Sequence, residues 1–130
     1  MISAEEERAM RTCLVLLAHG SRDPRWREPF EAIYLKMRGE LGDSVKLAYM
    51  EFVGPTVFDV AEQCTREGFA KLRILPLFMA AGAHLATDVP EQALQLRERY
   101  PKMEVEILPP VGEDARMFLL MQEIIRERAA

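Results

Sequence analysis

Histidine is nearly absent from this chain. Two occur in 130 residues, so whatever imidazole chemistry the protein performs near neutral pH falls to His19 and His84. Cysteine is as scarce: Cys13 and Cys64 have neither the spacing of a zinc pair nor that of a redox motif, which excludes a disulfide scaffold and reads as two buried free thiols. No apolar run approaches the ~20 residues that cross a bilayer, so membrane insertion is not expected. No long basic run exists either, and with a net charge of -4 nucleic acid is excluded as the main partner, because phosphate contacts need clustered Lys and Arg. Residues 1–11 lack both the apolar stretch of a secretory signal and the basic character of a transit peptide. They read as a polar N-terminal extension, a cytoplasmic location is expected, and residues 12–130 form one domain. At 49% hydrophobic and 29% charged residues, the composition suits a globular protein with a single core.

What is present alternates. Short apolar runs and helical stripes follow one another, the pattern of a parallel sheet built from βα units. Strands are expected over 12–18 and 71–78, continuously apolar and therefore central, and over 45–51 and 103–108, where charges mixed into the runs suit edges. This gives the order 2-1-3-4, a flavodoxin-like α/β three-layer sandwich with right-handed crossovers. Helices are expected over 25–41, with Trp26, Phe30, Ile33, Met37 and Leu41 inward; from Pro55 to about Gly68, with Val57, Val60, Ala61 and Cys64 inward; over 90–100; and over 113–127. The last carries Phe118, Leu119, Leu120, Met121, Ile124 and Ile125, a wider apolar arc than one core face requires.

In such sheets ligands bind beyond the carboxyl ends of the strands where the order reverses, here between strands one and three. His19 leaves strand one and His84 follows strand three, so both reach one mouth. Glu51, at the end of strand two, is placed to complete a His-His-Glu set, and reads equally as a carboxylate at the start of the second helix. Two imidazoles and a carboxylate suit a divalent ion such as cobalt, nickel, iron or zinc, with positions left open for substrate. Gly20 and Ser21 permit a tight turn whose N–H groups face an anion. Asp23 reads as a helix cap. Arg22, Arg25 and Arg27 put positive charge beside His19 and favour an anionic small molecule. Arg22, in the loop itself, is the best placed of them, whereas Arg25 and Arg27 read equally as a solvated helix face.

The segments Leu-Ala-His-Gly-Ser-Arg-Asp-Pro at 17–24, Ala-Tyr-Met-Glu-Phe at 48–52 with Pro55 after it, Leu-Pro-Leu-Phe at 75–78 and Gly-Ala-His-Leu-Ala-Thr-Asp-Val-Pro at 82–90 together resemble the CbiX family. These are sirohydrochlorin chelatases of the class II group that includes ferrochelatases. The resemblance implies the chelatase-like fold, His19 and His84 as catalytic and metal-binding histidines, and Glu51 as the acidic metal position. It implies a divalent metal as substrate, whether cobalt, iron or nickel, with no organic cofactor. It also implies a tetrapyrrole whose carboxylates meet Gly20, Ser21 and Arg22. Longer members hold two such domains, while this chain resembles the short form that acts as a homodimer.

Rival readings are a hydrolase or histidine phosphatase, and a metal- or tetrapyrrole-binding protein without turnover. The first lacks its parts: there is no Gly-x-Ser-x-Gly elbow, no further histidine to act as base, and Ala18 stands where the phosphatase form has arginine. The second uses the same pocket and differs in turnover alone.

Overall fold

The computed structural model describes residues 1, 3, 11–80 and 82–130, and of residues 83–85 the backbone alone. Its elements are β1 (Thr12–Ala18), α1 (Pro24–Leu41), β2 (Val45–Tyr49), α2 (Val57–Arg66), β3 (Lys71–Pro76), α3 (Ala83–Arg99), β4 (Glu104–Ile107) and α4 (Ala115–Ala129). All four strands are parallel, in the order β2-β1-β3-β4, as the apolar patterning predicts. The side-chain period of two divides β1 between the sheet's faces. Cys13, Val15 and Leu17 pack with Val60, Ala61 and Cys64 of α2 and with Ala93 and Leu96 of α3. Leu16 and Ala18 face Phe30, Tyr34 and Met37 of α1. Among the described residues no helix is long and apolar enough to cross a membrane.

Several boundaries move from those expected. The inward stripe of α1 is Phe30, Tyr34 and Met37, with Trp26, Ile33 and Leu41 exposed; the tyrosine ring takes the packing position and rotates the buried face. Asp23 caps this helix as expected, accepting from the Arg25 N–H at 3.0 Å. The second helix starts later than Pro55. Thr56 caps it through a reciprocal pair with Asp59, at 3.2 and 2.9 Å, which satisfies two backbone donors that a first-turn proline would leave unaddressed. Its buried residues are the expected Val57, Val60, Ala61 and Cys64. The third helix begins at Ala83 rather than Pro90, which is accommodated, exposed, in its interior. Arg11, at the end of the polar extension, is tied to the body: its guanidinium donates to the Glu67 carbonyl at 2.8 Å and stacks over Phe69.

β2 is an edge strand, yet every residue in it is buried, because α1 and α2 cover its two faces. Lys46 is only 7% exposed there, and its ammonium lies 2.8 Å from the Glu67 carboxylate. Burial pulls the lysine's pKa down, but the Glu67 hydrogen bond and charge outweigh it and leave it raised. The same bond holds Glu67 below its usual range. At the other end of the chain, α4 buries none of its residues, and Phe118, Leu119, Leu120, Ile124 and Ile125 stand exposed on it.

Candidate functional site

Where β1 and β2 end, their backbones continue to bond. The Met50 N–H donates to the Ala18 carbonyl at 2.9 Å, and the Glu51 N–H to the His19 carbonyl at 3.3 Å. Gly20 follows with φ +97°, and a β-carbon there would overlap the Glu51 carbonyl. A residue without a side chain is thus required for the two loops to approach this closely. The result is that the His19 Nδ1 lies 3.8 Å from the Glu51 Oε1, at the mouth between β1 and its neighbours. Both side chains keep an open side, His19 at 50% and Glu51 at 41% exposure. The Phe78 ring, from the loop after β3, meets the imidazole edge-on with centroids 6.2 Å apart. Phe78 is held in turn by the Gly112 N–H, which donates to its carbonyl at 2.8 Å.

The structure brings His19 and Glu51 together and leaves the third member undescribed. His84 lies in the first turn of α3, beyond the carboxyl end of β3, and its side chain lies outside the described residues. Among the described residues no three His, Cys, Asp or Glu side chains gather closely enough to hold a metal; His19 and Glu51 form a two-donor pair.

The anion-binding expectations separate. The Ser21 hydroxyl accepts from the Asp23 N–H at 3.1 Å, so it already supports the turn into α1. Arg25 is tied to Asp23 by bonds down to 2.7 Å, and this partner holds the Asp23 carboxyl below its ordinary range. Arg22 lies over the Phe52 ring at 5.3 Å. Phe52 itself is exposed, with φ 72°, a conformation uncommon for a bulky residue. Arg27, for which the sequence leaves a solvated helix face and substrate binding equally open, lines a cavity of about 300 Å³ together with His19, Gly20, Ser21, Trp26, Phe30 and Tyr49. Tyr49 is buried there beside Glu31, 3.3 Å from its hydroxyl, and burial, followed by the carboxylate, pushes its pKa up.

Sequence reasoning did not single out Phe52, Tyr49 or Gly112, and it left Arg27 equally between substrate binding and a solvated helix face. Gly112 offered the one local signal, a glycine after a Pro-Pro pair. The role of Arg27 depends on which face of α1 turns to the sheet's mouth, and that phase was misread.

Comparison with known proteins places this fold. A family model described as CbiX matches residues 13–128. A sirohydrochlorin cobaltochelatase of Sulfurisphaera tokodaii is 25% identical over 114 residues, 88% of this chain and 91% of the relative. A sirohydrochlorin ferrochelatase of Priestia megaterium is 29% identical over 115 residues, and the chain spans only 43% of its length. Among solved structures, the CbiX protein of Marinobacter aquaeolei VT8, described under cobalamin (vitamin B12) biosynthesis, superposes with a TM-score of 0.80 at 30% identity, covering 91% of this chain and 94% of that one. The cobalt complex of the sirohydrochlorin chelatase SirB from Bacillus subtilis subspecies spizizenii has the same fold, with a TM-score of 0.70.

Proposed function

Because the chain belongs to the CbiX family, we propose that it inserts a divalent metal ion into sirohydrochlorin, with His19, His84 and Glu51 as the groups that handle metal and protons. The observation that carries this reading is the His19–Glu51 pair, 3.8 Å apart and half open at the end of a parallel sheet.

The reaction exchanges two pyrrole N–H bonds for bonds to the metal and releases two protons. A neutral imidazole and a carboxylate side by side serve both needs: they replace water on the incoming ion, and they accept protons as the nitrogens are metallated. His84, in the first turn of α3, is assigned to the same task. The tetrapyrrole's carboxylates are met by Arg22 and by the N–H groups of the Gly20–Ser21 turn. Nitrogen and oxygen donors of this kind accept cobalt, iron and nickel alike. We favour cobalt, because the Sulfurisphaera relative of matching length bears the cobaltochelatase name. The metal enters as substrate, no organic cofactor takes part, and the reaction belongs to the cytoplasm.

We further propose that the chain acts as a homodimer. Five large apolar side chains exposed on a helix with no fully buried residue form a surface that a second copy would cover.

The test is anaerobic addition of cobalt, iron or nickel to sirohydrochlorin with and without the protein. Protein-dependent turnover of many equivalents is expected. A spectral change limited to one equivalent would identify a carrier and overturn the enzymatic reading.

A further inference from the structure

Three arginines stand near His19, and the structure separates them by their partners. The Arg25 guanidinium is bidentate to Asp23. Arg22 lies over Phe52. Arg27 has neither an ion pair nor a hydrogen bond among the described residues, and its Nε is shut from solvent without an acceptor. That one donor is costly as it stands, since a buried N–H without an acceptor forfeits the bond it would make with water. Arg27 also lines the cavity of about 300 Å³ that opens beside His19, with Trp26 forming another wall, 70% exposed. Glu31, one turn further along α1, instead accepts from the Tyr49 hydroxyl at 3.3 Å.

From these observations we propose that the Arg27 side of the cavity beside His19 is a specificity pocket for a carboxylate side chain of the substrate, adjoining the donor pair of His19 and Glu51. A carboxylate in the cavity supplies a charge-assisted acceptor of planar geometry to the terminal Nη groups of this guanidinium, which has no ion pair among the described residues. The indole of Trp26 covers the apolar stem that carries the acid. With Arg22 above Phe52 on the Glu51 side and Arg27 on the α1 side, the substrate is gripped at two points of its rim. Its face is thereby fixed over His19, and an uncharged or singly acidic macrocycle is disfavoured. The pocket rests on the tetrapyrrole reading above.

Trp26 is the chain's one tryptophan, so quenching of its emission reports tetrapyrrole binding without metal or turnover. Titration with sirohydrochlorin is expected to give a Kd raised about 10- to 100-fold in Arg27→Met, the worth of one charge-assisted bond. Arg27→Lys should recover part of the loss, and Arg25→Gln should bind like the wild type. In metal insertion Arg27→Met should raise KM and spare kcat. Its melting temperature should stay level or rise, because the substitution removes an unpartnered donor; a merely structural arginine would lower it. Unchanged affinity in Arg27→Met, beside a wild type that binds, overturns the pocket alone. A wild type that binds no sirohydrochlorin overturns the proposed function, and the pocket with it.

Discussion

A β-carbon on Gly20 would overlap the main-chain carbonyl of Glu51, so the residue after the first histidine sets how near the acid of the next strand comes. Gly20→Ala meets two penalties at once, the positive φ and the collision. We expect it to destabilise the protein by roughly 2–3 kcal/mol, and to cut metal insertion in whatever fraction remains folded. Denaturant unfolding and the chelatase assay on the folded fraction measure the two effects; wild-type stability would contradict the close approach.

Removing the donors themselves should leave the fold untouched, since both side chains are about half exposed. His19→Ala and His84→Ala are each expected to lower kcat by about 10²–10⁴, the usual contribution of a positioned acid or base. Glu51→Gln preserves shape and removes charge. It should weaken cobalt binding, read by the ion's visible absorption, more than it weakens tetrapyrrole binding. Equal turnover in both histidine variants would remove them from the site.

The Lys46–Glu67 pair gives the stability a defined pH window. Glu67 is held below the ordinary carboxylate value of 4.5, so its contribution is present above that value and is lost as pH falls through the lowered one. Lys46 is raised above 10.5, so its contribution holds below that pH and is lost as pH rises through the raised value. Lys46→Met should cost about 1–3 kcal/mol at pH 7. The gap to the wild type should close toward pH 3, as melting curves across pH would record.

Charging the apolar stripe of α4 tests the homodimer without disturbing the core. Ile125→Glu and Leu119→Glu alter two of the exposed positions on a helix with no buried residue. Each variant should run as a monomer in light scattering where the wild type runs as a dimer, with secondary structure unchanged. A monomeric wild type would remove this role from the helix.

Much of this arrangement was legible in the chain. The continuous apolar runs that became β1 and β3 dictated the central strands, and from them the place where ligands gather. His19 and Glu51 were legible as neighbours because one follows the first strand and the other was read as the last residue of the second, where topology alone brings both to the mouth; the strand in fact ends at Tyr49. The failures have physical causes. Pro90 reads as a helix start, yet it lies inside α3, so the backbone of His84 is helical rather than part of a loop. Tyr34 is absent from the expected inward stripe, yet it packs with Phe30 and Met37; that rotation turns Trp26 and Arg27 toward the cavity. The close contact at Gly20 depends on two loops distant in sequence, so no local pattern carries it. Cys13 and Cys64 were read as buried thiols and are so. That they lie side by side, the hydrogen bond between them and burial pushing the Cys13 thiol up, needed the register of α2 on β1.

A helix with no fully buried residue, whose Met117 and Met121 are only half-buried, has little beyond its own turns to slow its opening. In the isolated monomer the amide hydrogens of α4 should exchange with deuterium through local fraying, within the dead time of a hand-mixed sample. Those along β1, bonded to strands on both sides and packed on both faces, should wait for the whole domain to unfold. The chain therefore carries two clocks, and association of two copies would bring the fast one toward the slow.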